Sequence, residues 1–208
     1  MIGLYAVALG APAEGRGARG EPLRVVSRGA LQAVCGDPAP PLSAEAIRAH
    51  EAAVRSISDT AQACLPARYG ACADDETALL AALSAREPEL LEALELVRGR
   101  EQMNLRVHGT QGPLSAGGGP GTRYLEERRR SARLPELDPL RSALAHLIRA
   151  ERVERHEQPG LVASVYHLVD RGTSAEYQRA VERAQLEGLR LAVSGPWPAW
   201  SFAPELSP

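Results

Sequence analysis

The sequence predicts an α+β protein of two domains. Three observations carry that prediction. Apolar runs of strand length are interleaved with longer stretches whose apolar residues recur every three or four positions, the periods of strand and amphipathic helix. The pattern changes after Gly99: one strand, a hairpin and helices precede it, and a strand–helix–strand–helix–strand order follows. The chain has 208 residues, 44% hydrophobic and 24% charged, which suits one large or two small globular domains. The boundary near Gly99 gives an N-terminal α+β domain over 1–98 and a C-terminal domain over 99–208.

Ile2–Leu9 is an apolar run ended by Gly10 and Pro12, and so a strand. Residues 10–22 read as a flexible loop. Leu23–Ser27 and Ala30–Val34 flank Arg28-Gly29 as a hairpin, and 37–41 is a linker. Ser43 can cap a helix running to about Ala63, with Ile47, Val54, Ile57 and Ala61 on one face. Leu65–Tyr69 is a short extended piece turned by Gly70. Asp74 and Asp75 open a helix carrying Leu79, Leu80 and Leu83, and Glu87-Pro88 opens another carrying Leu90, Leu91, Leu94 and Val97. Met103, Leu105 and Val107 alternate with polar residues in a half-buried strand. Residues 109–121 form a Gly/Pro/Ser-rich insert expected to be mobile. A long helix is expected from about Arg123 to Glu154, kinked by Pro135 and Pro139, with a stripe of Leu137, Leu140, Leu144, Leu147 and Ile148. Leu161–Val169 is a strand, and Thr173-x-x-Glu176 is a capping box before a helix carrying Tyr177, Val181 and Ala184. Leu189, Leu191 and Val193 mark the last strand. The tail from Gly195 to Phe202, with two prolines and three large aromatics in seven residues, is expected to lie outside regular structure and to pack on the second domain. Crossover helices between strands of one sheet make that domain an α/β sandwich with helices on one face.

Composition excludes several chemistries. All 24 basic residues are arginine, which removes Schiff-base and phosphate-loop lysines. The net charge of −2 argues against nucleic acid, and no apolar run reaches the length of a membrane span. Cys35, Cys64 and Cys72 are odd in number and lack ligand spacing, which fits small buried residues in a reducing cytoplasm. Gly15–Gly20 matches GxGxxG, but Glu21-Pro22 leads to another strand where a dinucleotide site needs a helix. His50-Glu51 lacks the second histidine of a zinc motif, since position 54 is Val54. His50 therefore reads as a buried structural histidine. Asp74-Asp75-Glu76 is what a helix N-terminus prefers, and Arg128–Arg130 with Arg133 reads as a solvated helix face. Neither a catalytic constellation, a cofactor nor a metal site is expected. The least bland signal is the tail, where Trp197, Trp200 and Phe202 concentrate apolar area in a proline-stiffened segment.

Several segments line up in order with one family. They are Leu4-Tyr5-Ala6-Val7, Gly29 to Val34, His50-Glu51, Leu65-Pro66-Ala67-Arg68-Tyr69-Gly70, and Gly99-Arg100-Glu101 before a strand. Gly121-x-x-Tyr124-Leu125 and the ending Gly195-Pro196-Trp197-Pro198-Ala199-Trp200-Ser201-Phe202 complete the set, with Tyr69 where Phe is common and Ala199-Trp200 where Pro-Tyr is common. Over nearly its whole length the chain resembles the GvpF/GvpL family of gas-vesicle proteins. The resemblance implies a non-enzymatic assembly factor, cytoplasmic and vesicle-associated, with a C-terminal domain of modified ferredoxin-like fold. It implies contacts with the hydrophobic shell protein GvpA and other minor gas-vesicle proteins, and no small-molecule substrate. The motif residues His50, Glu51, Arg68, Tyr69, Gly70, Glu101, Tyr124, Trp197, Trp200 and Phe202 become candidate partner contacts. The alternatives are a generic adaptor, or a small enzyme with a pocket near His50, Arg68 and Glu101.

Overall fold

Ile2–Leu9 forms β1, and its residues Gly3–Ala8 are all buried, as a central strand covered on both faces requires. A computed structural model describes residues 1–11, 14–109, 137–156, 160–184, 186 and 188–206. Beside β1 lie β2 (Arg24–Arg28), β3 (Leu31–Gly36), β4 (Ala63–Pro66) and β5 (Cys72–Ala73), with the sheet order β2-β3-β1-β4. β4 pairs with Ala6–Leu9 of β1 while β5 pairs with Ile2 and Gly3, so both share one edge of β1. The hairpin closes at Arg28↔Leu31, one residue later than the sequence suggests. Its turn is Gly29-Ala30, with φ +58 at Gly29, where a type II′ turn takes glycine.

Three helices accompany this sheet: α1 (Ala44–Thr60), α2 (Glu76–Ala85) and α3 (Glu87–Val97). Ser43 caps α1, its Oγ accepting from the Ala46 amide at 3.1 Å. Asp75 caps α2 in the same way, accepting from Ala78 at 2.8 Å. Proline stands in the first turn of α3. α1 stops at Thr60 rather than Ala63, because Ala63 already pairs with Leu9. Its buried face is Ala46, His50, Ala53, Val54 and Ile57. Ile47 is off that face and 37% exposed, beside Leu42 at 76%. Those two occupy the positions of a hydrophobic staple, before the cap and one turn in.

The second sheet is built from β6 (Arg100–Gly109), β7 (Ile148–Arg155), β8 (Leu161–Asp170) and β9 (Leu189–Trp197), in the order β7-β8-β6-β9. With α4 (Asp138–Leu144) and α5 (Ser174–Arg183) the chain order is β-α-β-β-α-β. Each crossover skips one strand, which is the ferredoxin-like arrangement. α4 and α5 pack on each other, and Met103, Leu105 and Val107 face Leu140, Leu144, Tyr177 and Val181 in one core.

Three sequence expectations fail here. The long helix to Glu154 does not exist in its described part, since α4 ends at Leu144 and 148–155 is β7. Leu147 and Ile148 extend a helical spacing by chance, whereas Arg149 to Arg155 alternate and find a partner in β8. The Thr173 side chain donates to the Asp170 carbonyl at 2.7 Å instead of capping α5, and Glu176 turns to His146. The last strand runs through Gly195-Pro196 to Trp197, with a cis Gly195-Pro196 bond. An edge strand tolerates a residue without an N–H. The insert at 109–121, Tyr124 and the arginines at 128–133 lie outside the described residues, apart from Gly109.

The chain groups into two compact units, Met1–Glu101 with Trp197–Pro208, and Gln102–Pro196. The aromatic tail thus joins the first unit, not the second as its sequence position suggests.

Candidate functional site

The motif residues of the first unit meet around His50. The construction starts at the LPARYG segment. β4 ends at Pro66, the Ala67 amide donates to the Tyr5 carbonyl, and the Leu4 amide donates to the Ala71 carbonyl. Between these anchors the chain makes a turn, closed by the Ala71 amide on the Arg68 carbonyl at 3.0 Å. Gly70 has φ +85 at the third turn position, which a type II turn reserves for glycine. Gly70 is therefore needed by the backbone rather than by a ligand.

That turn presents the Ala67 carbonyl to α1. His50, 4% exposed, donates its Nε2 proton to it at 2.9 Å. A carbonyl only accepts, so this contact fixes the tautomer. The imidazole stacks on Tyr5 with centroids 5.0 Å apart, meets Tyr69 edge-on at 5.6 Å and lies 6.3 Å from Trp200. Burial lowers the His50 pKa, with the Ala67 carbonyl and Glu51 pulling weakly the other way. The Tyr5 hydroxyl accepts from the Ala18 amide at 2.7 Å and donates to Glu21 at 2.8 Å. Burial, with the Glu21 carboxylate, takes its pKa up to about 12. The GxGxxG loop is thus a turn wrapped on Tyr5, and Gly17 leaves room for Glu21. Tyr69 donates to the Pro40 carbonyl and ties the turn to the linker before α1.

The tail completes the cluster. Trp200 packs on the core of Tyr5, Ala53, Val54 and Ile57. The Arg55 guanidinium lies 4.8 Å above the Trp197 ring, Phe202 is buried, and Leu206 enters a cleft with Leu79, Leu83 and Leu90. Arg86 donates to the Glu205 carbonyl.

His50, Tyr69 and Trp200 are therefore brought together, with Gly70 shaping the turn beneath them. Glu51 is exposed on the outer side of α1. The Arg68 side chain is 80% exposed and reaches Glu205 at 3.8 Å. Glu101 lies on β6, its Oε1 buried without a hydrogen-bond partner among the described residues, and it pairs with neither His50 nor Arg68. The pocket imagined around His50, Arg68 and Glu101 is not assembled from these three. Cys35 is buried and its thiol is pushed up to about 11, which suits packing rather than nucleophilic work. Among the described residues no three His, Cys, Asp or Glu side chains converge as metal ligands, and no helix is long and apolar enough to cross a membrane.

A second buried cluster, unseen in the sequence, lies in the other unit. His167 bonds Glu151 at 2.9 Å and the Tyr177 hydroxyl at 2.7 Å. Arg141 grips the same carboxylate through Nε and Nη2, both near 3.0 Å, and holds Asp138 with Nη1. Burial alone would raise the Glu151 pKa, but His167 and Arg141 outweigh it and hold the group at about 2. Burial pushes the Tyr177 hydroxyl well above its usual value. No local pattern announces this cluster, because position 151 reads as helix.

These motifs from distant segments, folded into one aromatic core, can be set against known proteins. The family model described as gas vesicle synthesis protein GvpL/GvpF matches residues 3–204. The chain belongs to the GvpL/GvpF family. It is 28% identical over 232 aligned positions to gas vesicle protein L of Streptomyces sp. (strain CB03234), covering 92% of this chain and 87% of that one. It is 26% identical to gas vesicle protein F of the same strain, covering 88% of each. The fold matches the crystal structure of GvpF from Microcystis aeruginosa, with a TM-score of 0.75, 12% identity and 98% of both chains covered. It also matches GvpF from Anabaena sp. PCC7120, with a TM-score of 0.72, 14% identity, and 98% of this chain and 95% of that one covered. The GvpL/GvpF assignment fits the mixed helix and sheet content and the two separate sheets.

Proposed function

We propose that this GvpL/GvpF protein is a non-enzymatic assembly factor that binds the hydrophobic shell protein GvpA and other minor gas-vesicle proteins during vesicle formation. The single observation that carries the reading is the family match over residues 3–204. The chemistry agrees with it. Both clusters are satisfied internally, one by a backbone carbonyl and aromatic rings, the other by the ion pair of Arg141 with Glu151. A shell subunit rich in apolar surface must be kept from aggregating before it polymerises, and a protein that does this needs surface rather than a catalytic cleft. We place the protein in the cytoplasm, at the vesicle. Among the described motif residues, His50, Tyr69, Trp200 and Phe202 hold the fold, while Glu51 and Arg68 are exposed and free to reach a partner surface.

Co-expression with GvpA followed by affinity capture tests the reading. GvpA is expected to co-purify with the folded chain, and its absence from the eluate would remove the partner assignment. Deleting the gene from a vesicle-forming host is expected to abolish vesicles, and this sequence is expected to restore them.

A further inference from the structure

The second sheet has two edges of very different character. β7 carries Arg149, Glu151, Arg152, Glu154 and Arg155 within eight residues, a row of charges of the kind that blocks edge-to-edge pairing. β9 closes the other edge, and from Leu189 to Val193 no described strand pairs with its outer side. From Leu189 to Ser194 it holds a single charge, Arg190. Beside it, between β9 and α5, runs a groove of about 580 Å³ in which aliphatic Val181, Leu189, Leu191 and Val193 stand together with the polar Gln178, Glu182 and Arg190. Leu189, Leu191 and Val193 are half-buried along it, while Arg190, Ala192 and Ser194 alternate outward and are exposed.

We propose that this edge binds an extended segment of a partner protein by strand addition, the segment presenting aliphatic side chains to the groove at alternate positions and a carboxylate opposite Arg190. A strand edge supplies main-chain hydrogen bonds, and an adjoining groove that mixes aliphatic and charged positions supplies side-chain selection. The ladder is limited in length. Pro196 has no N–H to give and Ser194 is already engaged, so pairing stops at Val193 and spans five residues, about 17 Å.

Charge narrows the occupant. Arg190 forms no ion pair among the described residues, so a carboxylate across the ladder has a ready partner. Glu182 adds one opposite charge at the groove, a balance that gives nucleic acid no basic track to follow. Area narrows it further. A five-residue strand contact covers a few hundred Å² per partner, well short of the roughly 800 Å² per partner of a stable protein pair. A second copy of this chain held by this edge alone would not stay associated. A flexible segment already tethered within an assembly has no such need.

The inference rests on reading the chain as a protein that works through partners, yet it is tested on the isolated chain, so its failure is distinct from a failure to capture GvpA. The full-length protein, labelled with ¹⁵N, is titrated with a capped hexapeptide, Thr-Val-Glu-Val-Thr-Val, and with its counterpart carrying Lys for Glu. The expected result is saturable amide shifts confined to Leu189–Val193 and α5 as the peptide approaches about 1 mM. Arg190→Glu is expected to weaken the acidic peptide about two- to fivefold and to reverse the preference toward the lysine peptide. Arg190→Gln is expected to erase the preference with the thermal midpoint unchanged. Shifts absent at that concentration, shifts centred elsewhere, or a peptide preference indifferent to residue 190 would each overturn the proposal.

Discussion

His50 and His167 are both shut away from solvent, at 4% and 1% exposure, and the protein satisfies them by opposite means. His50 sits among rings and gives one proton to a backbone carbonyl. His167 sits between a tyrosine hydroxyl and a carboxylate that an arginine also clamps. The first arrangement asks for a neutral imidazole, and burial duly lowers its pKa. The second stores charge, with Glu151 ionised down to about 2. Removing a neutral partner leaves behind a lone carbonyl, whereas removing a partner of a charge leaves a charge. The two units should therefore fail differently.

The largest effect is expected at His167→Ala. It leaves the half-buried Glu151 carboxylate short of one partner and the Tyr177 hydroxyl without its acceptor, at a cost of about 3 kcal/mol in urea unfolding. A loss below about 1 kcal/mol would mean that solvent and Arg141 alone suffice for Glu151, and the contrast would collapse. His50→Leu keeps apolar bulk but orphans the Ala67 carbonyl, so about 2 kcal/mol is expected, with little dependence on salt.

Acid separates the units along another axis. His50 takes its proton first in the unfolded chain, at about its ordinary 6.5, because burial lowers the folded value. Stability of the first unit therefore begins to fall as pH drops through 6.5, and levels off below the folded pKa. Glu151 behaves as a depressed carboxyl. Its contribution is full above its ordinary 4.5 and is lost as pH falls toward about 2. The only tryptophans, Trp197 and Trp200, both belong to the first unit, so their emission follows it selectively. In urea titrations at stepped pH, His50→Leu should remove the early loss seen by tryptophan emission and leave the late loss untouched. The smallest effect is expected at Arg55→Ala, which removes a cation from the Trp197 face. It should cost about 0.5 kcal/mol, with a measurable shift of tryptophan emission.

How much of this could be read in advance depended on the range of the interactions. Ser43 and Asp75 cap their helices through contacts three residues away, and local spacing was enough to find them. Strands β1, β6 and β8 announced themselves by apolar runs or alternation. β7 did not, since its alternation begins just where a helical leucine stripe ends, and only pairing with β8 decides the matter. Thr173-x-x-Glu176 had the right spacing, yet the Asp170 carbonyl outcompeted the helix end. At the site, His50 was legible as a buried structural histidine from its place on the helix. Its acceptor Ala67 carries no side-chain signal at all, and Arg55 over Trp197 joins residues far apart in sequence, which no local pattern foretells.

The first unit is interrupted: Gln102–Pro196 is spliced between Glu101 and Trp197. On a ribosome, α1 and the first sheet emerge long before Trp200 does. His50 must wait, one side of its aromatic enclosure open, until the whole second unit has been translated. For that interval the nascent protein exposes apolar surface that the finished one covers, and a chain stalled within the second unit is a candidate for chaperone capture or proteolysis. The order of synthesis thus makes Trp197, Trp200 and Phe202 a check that the second unit has been made.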